Sequence, residues 1–304
     1  MTQVIDLSRL PAPDAIEALD YETLQAAFLS RFTAAWDAAR ALDPSLPAWD
    51  VGTLETDPAV IASQAWSYLR LLDRARVNDA VRAVLAPLAK GSDLDAVAAR
   101  IGVQRLTVTP ATETTAAVME SDERLLQRYL LAFTRPAAGS AERYLFEAYT
   151  AWPQLLHASV IGRAIHGRRG DTDIVIAGPG GRDATDAEMA LVRSAVTAPS
   201  VKPEATSVSV LRATRRLYAV RGKLLLPAGP DAETVRLEAI TRITAAAAER
   251  TRIGAEVPAV FLSGRAYGLS IQRVDLSEPA SDIPSAPYAI PVLGEVALTV
   301  EVAP

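Results

Sequence analysis

Between Pro58 and Leu88 the apolar positions fall into two sets. Ile61, Ala65, Tyr68 and Leu72 keep the spacing of one helical face, and after a gap of five Val77, Val81, Val84 and Leu88 resume it. At 3.6 residues per turn the slip rotates the apolar stripe by roughly a third of a turn. The spacing predicts a bend, or one helix that offers two sides to different neighbours. Asp57 and Pro58 mark its start. An aspartate there accepts from the first free backbone N–H groups, and proline at the first helical position gives up a donor that had no partner. Pro87 and Gly91 end it. Asp93 to Ile101 reads as a short helix, with Asp93 capping its N-terminus and complementing its dipole, stopped by Gly102.

Residues 1–13 read as an extended arm punctuated by Pro11 and Pro13. Asp14 to Leu42 is helix-compatible, with Ile16, Leu19, Leu24, Phe28, Phe32 and Trp36 at spacings of three to five, and the prolines at 44 and 47 end it. Leu106 to Thr115 reads as a connector. Helices are predicted over Ser121–Phe133 and Ser140–Ala151, the second with Tyr144, Leu145 and Ala148 on one side.

After Pro153 the period changes. Strands are predicted over Ala158–Ile165 and Thr172–Ala177 around a Gly-Arg-Arg-Gly-Asp turn, then a helix over Thr185–Thr197 capped by Thr185. Strands at Thr206–Leu211 and Leu217–Leu226 precede a long alanine-rich helix, Asp231–Arg252. A helical turn at Pro258–Gly264 and strands at Leu269–Leu276 and Pro291–Val302 follow.

The order β-β-α-β, then β-α-(α)-β-β, predicts an α+β chain. A helical N-terminal arm or bundle region precedes two small α+β modules with mixed sheets. The expected division is 1–105 for the helical region, 106–152 for a connector and helical pair, 153–213 for the first module and 214–304 for the second.

Composition narrows the function. Half of the 304 residues are hydrophobic and 22% are charged, enough apolar content for a sizeable core. Much of it is alanine, as in Ala245–Ala248, which favours closely packed helices over a thick aromatic core. The net charge of −5 argues against sequence-nonspecific nucleic-acid binding, which rests on neutralising phosphates. With no cysteine, disulfides, thiolate metal sites and cysteine nucleophiles are excluded. The first twenty residues lack the basic and apolar regions of a signal peptide, and no apolar run reaches the ~18 residues of a membrane span.

The candidate chemistry is sparse. His157 and His166 are the only histidines and lack ligand spacing to one another; they read as polar or turn residues. Asp171 and Asp173 have a spacing that metal sites sometimes use, but at the exit of a tight turn they read as solvated turn residues. Gly178-Pro179-Gly180-Gly181-Arg182 precedes a helix as phosphate loops do. It lacks the Gly-Lys-Ser/Thr ending and the GxGxxG spacing, and proline removes a donor that a phosphate cradle needs. Arg212, Arg215, Arg216 and Arg221 have few aromatics among them, which fits a solvated face or an acidic partner better than a base-stacking platform. No catalytic residue, metal ligand or cofactor site is assigned. A small α+β enzyme or ligand-binding domain remains the alternative; it requires a concave pocket with perturbed ionisable groups.

Several segments, in order over some 250 residues, resemble the baseplate J-like family of contractile phage tails and related injection systems. They are Glu55-Thr56-Asp57-Pro58, Arg76-Val77-Asn78-Asp79-Ala80, Gly91-Ser92-Asp93-Leu94-Asp95, Glu120 to Arg124, Ser140 to Tyr144, Thr172 to Ile176, Val201 to Val208, Tyr288 to Ile290 and Val296 to Val300. The resemblance implies a structural wedge subunit located in the virion tail baseplate and assembled in the bacterial host cytoplasm. Its implied partners are a second copy of itself, a second wedge protein (tail protein I-like) in a 2:1 complex, a lysozyme-like sheath initiator and neighbouring wedges in a six-fold ring. Neither nucleic acid nor membrane is among them. On this reading Trp36, Trp49 and Trp66, together with Tyr68, Leu72, Val77 and Val81, are candidate inter-subunit contacts. For the tryptophans, intrachain packing is the competing reading. Thr107 to Thr115 is the expected hinge of a conformational relay.

Overall fold

The computed structural model describes residues 11, 13–52, 54–133, 135, 137–229 and 231–303. The arm expected over residues 1–13 lies outside them except for Pro11 and Pro13. Two compact units lie within Gln3–Gln104 and Arg105–Pro304.

The first unit is helical. Helix α1 (Tyr21–Leu42) starts at Tyr21 rather than Asp14, because Asp20 takes the N-cap position and accepts from the backbone N–H groups of Glu22 and Thr23. Helix α2 (Pro58–Val84) is capped by Asp57, with Pro58 at its first position, and ends at Val84, ahead of Pro87. Helix α3 (Gly91–Ala99) begins earlier than expected. Its N-cap is Lys90, which makes no side-chain cap bond, so Asp93 lies in the first turn and complements the dipole without capping. Leu94, Val97 and Ala98 of α3 are buried, as are Ala89 and Val103 beside it.

The second unit opens with a small hairpin, β1 (Thr107–Thr109) and β2 (Val118–Met119), where the sequence suggested a plain connector. Helices α4 (Asp122–Ala132) and α5 (Ala141–Ala151) follow, with Ser121 and Ser140 as N-caps accepting from the N–H groups of Arg124 and Arg143. A buried ion pair fastens hairpin to helix. Arg128 meets Glu120 at 2.8 Å, with side chains 3% and 1% exposed. The N–H of Leu106 donates to the same carboxylate at 3.1 Å. Arg105 donates to the Glu120 carbonyl and pairs with Asp122, both at 2.6 Å.

The first mixed sheet has the order β3-β4-β5, from β3 (His157–Ile161), β4 (Asp171–Ala177) and β5 (Ser207–Arg212). Strands β3 and β4 are antiparallel, while β4 and β5 are parallel, with α7 (Asp186–Val196) between them in sequence. The strand expected to reach Ile165 stops at Ile161, since Arg163–His166 form a single helical turn, α6, closed by Gly167 in the left-handed region. Both members of a capping box, Thr185 and Glu188, open α7.

The second sheet has the order β7-β6-β8: β6 (Thr214–Leu226), β7 (Arg273–Glu278) and β8 (Ala289–Val302). Strand β7 is antiparallel to β6, and β8 runs parallel to β6 along its whole length. Helices α8 (Ala232–Arg250) and α9 (Ala259–Ala266) pack on this sheet. The alanines of α8 have a packing reason: Ala239, Ala246 and Ala247 are buried beside Val235 and Ile243, and their short side chains let the helix lie close to its neighbours. Strand β7 starts at Arg273, not Leu269, because Leu269 sits fully exposed in the preceding loop.

The two sheets share part of a core. Ile161, Val175 and Ala177 from the first cluster with Ala213, Ile253, and Ile290 and Val292 from β8. A polar clamp accompanies this cluster. Asp173, 1% exposed, accepts two bonds from Arg168 at 2.7 and 2.6 Å and one from the Tyr288 hydroxyl at 2.6 Å. Burial pushes this carboxyl up, but the Tyr288 and Arg168 contacts outweigh it and hold the group below its ordinary value. Asp173 is therefore a buried anchor, not the solvated turn residue that its neighbours suggested.

His157 lies at the same seam. Its Nδ1 accepts from the Ile253 N–H at 3.3 Å. Burial, with Arg252 and Arg124 nearby, lowers its pKa to about 4. The fold thus favours neutral imidazole, while the unfolded chain takes up a proton near 6.5. Stability falls as pH drops through the interval from about 6.5 to about 4. Between pH 7 and pH 5 this one group is expected to cost on the order of 2 kcal/mol. Urea titrations at the two pH values should show a smaller difference for His157→Phe than for the parent chain; equal differences would exclude the effect.

Candidate interaction surface

A helix hairpin normally buries its apolar stripes and shows its polar ones. In α2 that order is reversed, and α1 covers its apolar side chains only in part. No residue of α1 is buried, and of the 27 residues of α2 only Val60, Ser63, Ser67 and Asn78 are. Plotted at 100° per residue these four fall within about 60° of one another, on one face of α2. The seam with α1 is therefore built from small and polar groups. Gln25 donates to the Ser63 hydroxyl at 3.4 Å, Ser63 donates to the Val60 carbonyl at 2.6 Å, and the Tyr21 hydroxyl donates to the Gln64 carbonyl at 3.4 Å.

Asn78 has a specific task at this seam. Its Oδ1 accepts from the Glu17 N–H at 3.1 Å, and its Nδ2 donates to the Glu17 carbonyl at 2.9 Å. An asparagine amide matches a peptide group donor for acceptor, so one side chain pins the extended segment leading into α1. Arg74 adds an ion pair to the Glu17 side chain at 2.6 Å. A shallow groove of about 170 Å³ beside this clamp, lined by Glu17, Arg70, Asp73, Arg74, Val77 and Asn78, is smaller than pockets that enclose organic ligands.

The apolar residues of α2 lie on both flanks of the seam. On one, Ile61, Tyr68 and Leu72 are 52%, 57% and 47% exposed, and Leu69 lies on the outward side between this stripe and the next. On the other are Trp66, Val77 and Val84, all exposed. The two stripes are roughly 150° apart around the helix axis. The slip in the sequence pattern is the break between them. Val81 falls nearer the seam and is half-buried.

The tryptophans divide. Trp36 and Trp49 are half-buried around Phe32, at centroid distances of 6.1 and 4.8 Å, and the Trp36 indole donates to the Pro47 carbonyl at 2.9 Å. Trp66 touches Phe28 at 5.3 Å but is 42% exposed on the second stripe. Helices of this length gain their stability from packing an apolar face. In α1 most of the large apolar side chains are half-buried, whereas α2 leaves much of its apolar surface exposed.

Most of the other candidates are occupied within the chain. The His166 Nδ1 accepts from the Arg168 N–H at 3.0 Å. In the glycine-rich loop Arg182 reaches Glu188 with two bonds, at 2.9 and 2.6 Å, and holds that carboxyl at about 2. The loop thus serves the cap of α7. Arg212 bonds the Ala184 carbonyl and Asp186, Arg216 the Pro284 carbonyl, and Arg221 pairs with Glu295 and Glu278. Among the described residues no group of three or more histidine or acidic side chains could hold a metal ion, and no helix is long and apolar enough to cross a membrane.

Comparison with known proteins adds three findings. The family description "Baseplate J-like N-terminal domain" matches residues 55–112, which include α2. Over 298 residues the chain is 31% identical to "Baseplate protein J" of Escherichia phage P2, with 92% of each covered. A chain from the six-fold-symmetrised cryo-EM structure of the anti-feeding prophage baseplate resembles this one at 12% identity. There the TM-score is 0.41, with 64% of this chain and 49% of that one covered.

Proposed function

The chain belongs to the baseplate protein J family, and from that premise we propose that it is a wedge subunit joining neighbouring wedges into a six-fold ring around the tail hub and relaying the change that triggers sheath contraction. A structural role in a phage tail baseplate, among other baseplate proteins, follows from the family. The specific partners are part of the proposal: a second copy, a tail protein I-like wedge protein in a 2:1 complex, and a lysozyme-like sheath initiator. The protein acts by holding and shifting contacts, without catalysis.

The observation that carries this reading is the reversed order of α2. A helix that turns serines and an asparagine toward its own chain, and tryptophan, tyrosine, leucine and valine away from it, is built to complete its core with other chains. Two stripes on opposite flanks suit two different neighbours. Trp36, Trp49, Trp66, Tyr68, Leu72, Val77 and Val81 remain the proposed contact set, with Trp66, Tyr68, Leu72 and Val77 the most accessible of them.

The test is co-expression with the product of the adjacent gene, followed by light scattering. A stable complex holding two copies of this chain is expected. Tyr68→Glu with Leu72→Glu, and separately Val77→Glu with Val84→Glu, should each weaken assembly about 100-fold while leaving the helical circular dichroism unchanged. A clean monomer that ignores its neighbour would overturn the proposal.

A further inference from the structure

The second sheet has two edges, and they differ in kind. Strand β7 is short, meets β6 at a register irregularity and carries Arg273, Asp275 and Glu278, features that discourage another strand from pairing there. Strand β8 is 14 residues long and pairs with β6 on one side only. Among the described residues, the stretch from Ile290 to Val302 makes no backbone hydrogen bond outside that ladder. Its one proline, Pro291, lies in the buried first part; from Glu295 to Val302 there is no proline, lysine or arginine.

The faces of this edge are chemically distinct. Val296, Leu298 and Val300 point toward the core under α8, yet Val296 and Val300 are only half-buried and Val302 is 52% exposed. Glu295, Ala297, Thr299 and Glu301 alternate with them on the exposed face. An added strand would extend the apolar row on one face and set its alternate side chains beside Glu301 on the other, where Glu295 is already paired with Arg221 of β6 at 3.0 Å. A second copy of β8 paired antiparallel about Leu298 would place Glu295 opposite Glu301, which like-charge repulsion disfavours.

We propose that the outer edge of β8, residues 295–302, is a docking site for an extended segment of a different chain, with apolar residues at alternating positions and lysine or arginine between them. The backbone ladder supplies affinity, the valine row selects one face, Glu301 selects against acidic strands, and the approach of Glu295 to Glu301 disfavours self-pairing. This site is separate from the α2 stripes and does not depend on the wedge assignment.

The probe is a synthetic peptide, Val-Lys-Val-Thr-Val-Arg-Val, added to the full chain and followed by amide hydrogen exchange. Slowed exchange confined to residues 295–302 is expected. The analogue with glutamates for the basic residues should bind at least 10-fold more weakly, and Glu301→Lys, which leaves the Arg221–Glu295 pair in place, should reverse that preference. Peptides N-methylated at alternate amides, in either register, keep their side chains; the register that blocks pairing should abolish protection. Equal binding of basic and acidic peptides, survival of binding in both N-methylated forms, or protection elsewhere would overturn the proposal.

Discussion

Replacing Arg128 by methionine should lower the stability of the second unit by about 3–5 kcal/mol, the largest effect expected of any single substitution in it. The reason lies in what is left behind. Glu120 is 1% exposed and faces Arg128 at 2.8 Å, so the variant retains a buried carboxylate that keeps the Leu106 N–H as a donor but loses its counter-charge. Methionine fills much of the volume, which separates lost charge from lost packing. Adding Glu120→Leu should then recover more than half of the loss, since replacing both members of a buried pair by apolar groups is far cheaper than removing one. Urea denaturation read through the exchange of α4 and α5 amides would check both variants. If the double variant is no better than the single one, the charge is not the cause.

Gly222→Val should cost about 3 kcal/mol and detach β7 from β6. Gly222 stands where the β6–β7 register shifts, and a side chain there would run into the carbonyl oxygen of Asp275 and to within 2.8 Å of the Leu276 Cα. Both are backbone atoms, so relief requires moving the strand. Strand β7 also carries Val274 and Leu276 into the core under α8 and α9, which couples the ladder to that packing. Gly294→Ala is the matched control. Its Cβ would meet only the Tyr218 carbonyl, at an ordinary 3.6 Å, and a change within about 0.5 kcal/mol is expected. Thermal unfolding of the two variants side by side decides the matter; similar losses would mean that β-strand glycines matter here for some other reason.

What the sequence disclosed follows from the range of each interaction. Asp57-Pro58, Ser121, Ser140, Thr185 and Asp231 were legible as helix starts because a cap acts on N–H groups two or three residues away. Asp20 offered the same signal, but apolar spacing continuing back through Leu19 and Ile16 hid it. Most strands of the two three-stranded sheets were readable from alternation or apolar runs. The sheet orders were not, because β4 with β5 and β6 with β8 pair across intervening helices. Asp173 was misread for the same reason: the Tyr288 hydroxyl that helps bury it is 115 residues away. On α2 the slip in register was visible, and its sense was not. Periodicity reports that a face is apolar without saying whose core it enters, and here three of the four buried residues of α2 are Ser63, Ser67 and Asn78.

The parallel pairing of β6 with β8 has a consequence for the order of biosynthesis. Residues 214–226 emerge from the ribosome early, but the strand that covers one whole side of them is not complete until residue 302 has followed. Until then β6 is an open template 13 residues long. The cluster joining the two sheets is also short of Ile290 and Val292. The second unit can therefore close only after translation of its last strand, and a ribosome stalled near residue 288 would hold out a sticky, half-built sheet for chaperones to shield.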